Sequence, residues 1–353
     1  MGFVIVVVII LGLLITGANL DDQQVQLRRW VRFFLYGSVV LLWISALGIL
    51  MSALDPTFSD IVVSTPLAWA YLVLVMLGSV VAIGTLNSQR VREIIQQQVV
   101  GIYPTDKGDG WRGYDPNSTV HTTAVVLAIF AVLSTLGSFI EQGGLEGLAQ
   151  DLSENAPGVA EILSTPVLYI SVAFLGVGVL LRRDLPSALR RLGLRLPTIS
   201  DWRSGFVYGF GLYVVQIVIA IAWMLVTDPD VFTQQNAAAQ EIFAAYSSSI
   251  FFGLLVALSA GFGEEILFRG AIQPVFGILL TSLFFMLLHT QYTFTPAALI
   301  IFVVSAGFGR LRARESTTAA IIAHVLYNFI PFVLFALSPD VSQATGAFLF
   351  MTH

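Results

Sequence analysis

The chain has 353 residues, of which 56% are hydrophobic and only 11% charged, and its mean hydropathy of +0.84 excludes a soluble globular domain. A net charge of −5 with only short basic stretches offers no nucleic-acid surface, and the absence of cysteine excludes thiol nucleophiles, disulfides and thiolate metal sites. The composition is that of a polytopic membrane protein, and the predicted fold class is all-α: a bundle of transmembrane helices.

About ten apolar segments follow one another, near 3–18, 31–54, 67–86, 120–140, 166–181, 204–226, 250–272, 277–290, 296–309 and 317–337. The first, Met1 to Leu20, has neither a basic leading region nor a small-residue cleavage site, so it is predicted to be a retained span rather than a signal peptide. Its Met-Gly start also lacks the Ser or Thr of a myristoylation signal. Spans 1–4 carry no charge in their interiors and are joined by a polar stretch (88–119) and followed by an acidic one (141–164). Residues 1–164 are therefore predicted to form an accessory bundle and 165–353 the domain that carries the chemistry. Crossing about 30 Å of hydrocarbon takes about 20 helical residues, so spans 8 and 9 are short. Short helices at membrane depth are tolerated mainly where they line a protein-buried or watery cavity.

The basic residues set the expected orientation. Arg28, Arg29 and Arg32 follow span 1, Arg90, Arg92, Lys107 and Arg112 follow span 3, Arg182, Arg183, Arg190, Arg191, Arg195 and Arg203 follow span 5, and Arg310, Arg312 and Arg314 follow span 9. The alternate connections hold only acids: Asp55 and Asp60, then Glu141, Glu146, Asp151, Glu154 and Glu161, then Asp228, Asp230 and Glu241, then Asp340. By the positive-inside rule, ten spans with both termini outside satisfy every connection. The plasma membrane is the expected location.

Five ionisable residues sit where the hydrophobic pattern places lipid, Glu264, Glu265, Arg269, His289 and His324, and every other charged residue falls in a connection or at a span edge. Each such group at bilayer depth costs about 2.5–3.5 kcal/mol on insertion scales and is read first as functional. In Glu264-Glu265-Ile266-Leu267-Phe268-Arg269 on span 7, Glu265 and Arg269 are four apart and share a helix face, whereas Glu264 points about 100° away. One acid is thus neutralised by its own arginine and the other left free to act as a base; the alternative is that all three form a structural charge network. Span 8 ends in Phe285-Met286-Leu287-Leu288-His289, and span 10 places His324 and Asn328 four apart. A rise of about 1.5 Å per residue puts Glu264, His289, His324 and Asn328 in one layer, about 12–18 Å above the inner face. Ser-Ala-Gly-Phe-Gly occurs twice, at 259–263 and 305–309, each time with Ser and Gly four apart, the spacing that lets membrane helices approach closely.

EExxxR, FxxxH and HxxxN on consecutive hydrophobic segments resemble the CPBP intramembrane protease family, which includes the CAAX prenyl proteases and the bacteriocin-processing, Abi-like proteins. The resemblance covers roughly 165–337, including Leu-Arg-Leu-Pro at 194–197 and the stretch from Gly307 to Asn328; the interval from Arg269 to His289 is shorter than the family's. It implies a helical bundle around a watery cavity and hydrolysis of a peptide or protein substrate, membrane-anchored or prenylated. Carried onto this sequence, it implies that Glu264 and His289 activate water and that His324 and Asn328 stabilise the oxyanion, with Glu265, Arg269 and Phe285 in support. No Ser/His/Asp or Cys/His set is arranged for covalent catalysis, so direct attack by water is expected, without a cofactor. Glu264, His289 and His324 as zinc ligands remain an alternative, although there is no HExxH. A transporter or proton relay also places such groups in its core, though no inverted repeat is visible, and a silent immunity protein would keep the motifs without the reaction.

Overall fold

The computed structural model describes residues 2–20, 25–55, 63–100, 113–290 and 297–337. Lys107, Arg112, Asp60 and Asp340, used above for orientation, lie outside them. Among the described residues there is no strand, and the helices follow the hydrophobic pattern. The first group comprises α1 (Gly2–Leu20), α2 (Val25–Leu54), α3 (Thr65–Asn87), α4 (Gln89–Val100), α5 (Thr119–Glu141) and α6 (Gly144–Glu154). The second comprises α7 (Val159–Gly176), α8 (Leu185–Leu192), α9 (Ile199–Val226), α10 (Pro229–Tyr246), α11 (Ile250–Glu264), a π-helical segment (Glu265–Ile272), α12 (Gln273–Leu288), α13 (Ala297–Arg314) and α14 (Thr317–Leu337). The protein is an integral, multi-pass membrane bundle: among the described residues seven helical stretches are long and apolar enough to cross a bilayer, and Val6–Leu20 within α1 is a shorter apolar stretch.

One of the seven runs unbroken by length alone from Ile250 to Leu288, 39 residues. A straight helix of that length would reach about 58 Å, roughly twice the hydrocarbon thickness. Gly277 breaks it, with φ 81° and ψ 171°, a conformation open to glycine and closed to residues with a Cβ. The chain folds back there, as two ring contacts show: Phe268 meets Phe284 at 5.6 Å and Phe285 at 4.9 Å between centroids. The two separate spans expected from the sequence are therefore both present.

Span 5 differs from expectation. The helix runs over Val159–Gly176 rather than 166–181, because Glu161 caps its start by accepting from Gly158 N at 2.8 Å, while Gly178 and Leu180 take positive φ. Arg182 N and Arg183 N both donate to Gly178 O, so the apolar residues after Gly176 form a tight loop. That loop is tied to α1, where Asn19 Nδ2 donates to Leu175 O at 2.9 Å and Asn19 O accepts from Arg182 Nε at 2.6 Å.

α1, α2, α3 and α5 pack through two apolar clusters, around Leu42, Ala46, Tyr71 and Leu136 and around Leu35, Val39, Ala82 and Val126. The largest cluster belongs to α7–α14 and surrounds Phe268, Phe285, Phe308 and Tyr327. A small one, Val99 and Tyr114 against Val275 and Phe276, joins the first group to the turn that precedes Gly277.

Candidate active site

Glycines and prolines decide how closely the helices around the site approach. Pro166 lies inside α7 and has no N–H for the carbonyl of Ile162, which instead accepts from Ser259 Oγ at 2.7 Å. Four residues on, a Cβ on Gly263 would sit 2.7 Å from Pro166 Cα, so the backbones of α7 and α11 touch there. The second Ser-Ala-Gly-Phe-Gly docks in the same fashion. Ser305 Oγ accepts from Arg269 Nη2 at 3.1 Å, and four residues later Gly309 O accepts from Gln273 Nε2 at 2.8 Å. Each copy thus uses its Ser and its Gly on consecutive turns of the facing helix, as small-xxx-small spacing predicts.

These contacts fix a π-helical segment at the first motif. Its wider register appears at the end, where Gln273 N donates to Phe268 O, five residues back. Pro274 has no N–H for Gly270 O in α-helical register, and Arg191 Nη1 of α8 donates to that oxygen at 3.0 Å. Burial and the like charges of Arg183 and Arg312 lower the Arg191 pKa to about 10, which leaves it charged at neutral pH.

The structure brings the first and third motifs into direct contact. Glu265 and Arg269, both fully buried, form the expected i,i+4 ion pair, with Nε 3.2 Å from Oε2. The other oxygen of Glu265 lies 2.8 Å from His324 Nδ1, a link that sequence reading missed because 59 residues separate the partners. His324 Nε2 then faces Glu264 Oε2 at 3.9 Å, and Glu264 keeps 18% of its side chain exposed. His324 is stacked on Phe308, the aromatic of the second repeat, at 4.7 Å. Asn328 follows one turn later on α14 and is fully buried. Tyr327, beside it, bonds Gln216 of α9, which fixes the rotation of α14 about its axis.

His289 caps α12. Its Nδ1 lies 2.7 Å from Phe285 O, which directs Nε2 away from its own helix. The Phe285 ring is the hub: it lies 4.4 Å from His289 and 6.3 Å from His324, and the Arg269 guanidinium sits 5.1 Å from its centroid. Glu264, Glu265, Arg269, Phe285, His289, His324 and Asn328 thus surround one region of the bundle. Among the described residues, no group of three or more His, Asp or Glu side chains is arranged to hold a metal. The alternative zinc set of Glu264, His289 and His324 is not drawn together as one: each histidine bonds a protein oxygen through Nδ1, which leaves Nε2 as the ligand atom, and Nε2 of His324 stands 3.9 Å from Glu264 Oε2.

Residues 246–330 match the family model described as type II CAAX prenyl endopeptidase Rce1-like. This chain contains an Rce1-like segment. All the motif residues, from Glu264 to Asn328, fall inside it, whereas α7, α9 and most of α10 lie outside. The match is consistent with the CPBP resemblance and supports, in general terms, an intramembrane protease of the CAAX type. No curated protein and no solved structure matches the chain.

Proposed function

We propose that the chain is an intramembrane endopeptidase in which Glu264 and His289 activate water and His324 and Asn328 polarise the scissile carbonyl. The observation that carries the reading is the chain of contacts from Arg269 through Glu265 and His324 to Glu264, inside the Rce1-like segment. Glu264 accepts a proton from water as its oxygen attacks the carbonyl carbon. The carbonyl electron pair moves onto oxygen, and collapse of the adduct breaks the C–N bond, with the proton passing to the leaving nitrogen. Donors aimed at that oxyanion are worth about 2.7–4 kcal/mol each.

Glu265 is assigned to orienting His324, as a carboxylate fixes the imidazole of a catalytic triad. With Nδ1 of His324 held by Glu265, Nε2 is turned toward Glu264 and the substrate, where a proton on it donates to the oxyanion. No step is routed through a metal.

The test is cleavage of a peptide library, including prenylated CaaX ends, by the protein reconstituted in lipid vesicles. Hydrolysis that persists after exhaustive chelation is expected. One zinc per chain that is required for turnover would replace the metal-free mechanism, and absence of any hydrolysis would remove the protease assignment in favour of a relay or scaffold. Both termini are assigned to the outside of the plasma membrane on the charge segregation. A cysteine at Arg190 should then be alkylated only from inside and one at Ser153 only from outside; the reverse pattern inverts the topology.

A further inference from the structure

The motif residues come from α11 to α14, yet one polar side chain reaches the same region from α7. Tyr169 lies three residues beyond Pro166, on the same helix face, and Pro166 is the residue that Gly263 touches. Side chains lean toward the N-terminus of their helix, so the ring is directed back to the level of Glu264, the residue after Gly263. Two contacts agree. The Tyr169 ring packs edge-on against Phe268 at 6.1 Å and 86°, and Phe268 is four residues from Glu264, on its side of the helix. Phe268 in turn packs against Phe285, which carries His289 against its ring, so Tyr169 lines the Glu264–His289 side of the site. The Tyr169 hydroxyl also lies within electrostatic range of the Glu264 carboxylate, without a direct hydrogen bond in the resting structure.

We propose that Tyr169 is a positioning residue of the site, its phenol O–H turning onto the Glu264 oxygen that does not face His324 as water and substrate bind. The proposal rests on Glu264 being the base. With Oε2 facing His324 at 3.9 Å from α14, a donor on α7 holds the carboxylate from the opposite side and keeps it aimed at the water. A carboxylate at membrane depth with one restraint could rotate away from productive geometry; one held from both sides cannot. This makes α7, which lies outside the Rce1-like segment, part of the working site. It also gives the Gly263–Pro166 contact a purpose beyond packing.

Tyr169→Phe removes only the hydroxyl and keeps the contact with Phe268. On a prenylated CaaX peptide, kcat is expected to fall about 10-fold, the size of one hydrogen bond to a charged group, with KM within about 2-fold and thermal stability unchanged. Fluorinated tyrosines placed at 169 provide a readout that packing alone would not move: kcat should vary with the acidity of the phenol. Wild-type kcat in Tyr169→Phe, or a flat response across the fluorinated series, overturns the proposal. A second measurement does not depend on turnover. The [13Cζ]-tyrosine signal of Tyr169, assigned by its loss in Tyr169→Phe, should shift in Glu264→Gln, and a signal that stays put overturns the proposal even if the protein cleaves nothing. Absence of activity in the wild type together with a shifted signal would instead remove the protease reading and leave the Tyr169–Glu264 contact standing.

Discussion

The two halves of the bundle solve the same problem, burying polar groups in a lipid-facing fold, in opposite ways. In α1–α5 the buried polar groups are neutral and mostly bond a backbone carbonyl: Tyr71 donates to Leu133 O at 2.8 Å, Ser79 to Val75 O and Thr85 to Val81 O. Each carbonyl is already the acceptor of a helical bond, so the side chain relieves its own polarity and little else depends on it. In α11–α14 neutral groups such as Gln273 also bond a backbone carbonyl, but three buried groups are ionisable and bond one another, from Arg269 to Glu265 to His324. Removing any one leaves its partner charged and stranded. The first arrangement can be replaced by apolar residues at small cost, whereas the second cannot be dismantled piecemeal. A protein keeps the expensive arrangement where chemistry requires it.

The largest expected effect comes from Glu264, the one carboxylate of the network that keeps an exposed edge. Glu264→Gln preserves shape but removes the proposed base, so turnover should fall by about 10²–10⁴-fold with the melting temperature in detergent unchanged. Retained turnover would mean that the base is elsewhere and that the two halves differ in packing alone.

Arg269→Met and Glu265→Gln should do the reverse of Glu264→Gln on stability. Each leaves its fully buried partner with an uncompensated charge, at a cost of about 3–5 kcal/mol, read as a fall in the detergent unfolding temperature. Because Glu265 also holds His324, its loss should lower turnover as well, even at temperatures where the variant is folded. If Arg269→Met melts like the wild type, the network is solvated and the contrast between the halves disappears.

Much of this was legible in the sequence, and what escaped it has a physical cause. Apolar run length carries the spans, because lipid demands about 20 such residues wherever they occur. The pairing of Glu265 with Arg269 was legible because both lie on one helix. The bond from Glu265 to His324 was not, since it depends on the fold-back at Gly277 and on how α14 is turned, which Tyr327 and Gln216 set across 111 residues. The π-helical register has no apolar periodicity of its own, so 265–272 read as ordinary helix. Span 5 was misplaced toward the C-terminus because its last apolar residues are spent on a loop with two positive-φ positions. Tyr169 escaped for a related reason: it sits among apolar residues with no neighbouring motif, and the Pro166–Gly263 and Tyr169–Phe268 contacts show which helix it faces.

The smallest expected effect separates the halves at the level of single methyl groups. Gly37 in α2 has nothing within 4 Å of where its Cβ would lie, so Gly37→Ala meets only lipid. Its unfolding temperature should stay level or rise slightly, since alanine in a helix interior is favoured over glycine by about 0.5–1 kcal/mol. The same added methyl at Gly263 would be 2.7 Å from Pro166 Cα, a backbone atom that cannot swing aside, so α7 and α11 must separate. Overpacking of this kind costs about 1–3 kcal/mol. Separation would also stretch the Ser259 bond to Ile162 O one turn away and draw α7 back from Glu264, so turnover should fall in Gly263→Ala beyond what the stability loss explains. Equal behaviour of the two alanine variants would show that α7 packs as loosely on the site as the lipid-facing side of α2, and the close approach that brings α7 to the active site would have to be abandoned.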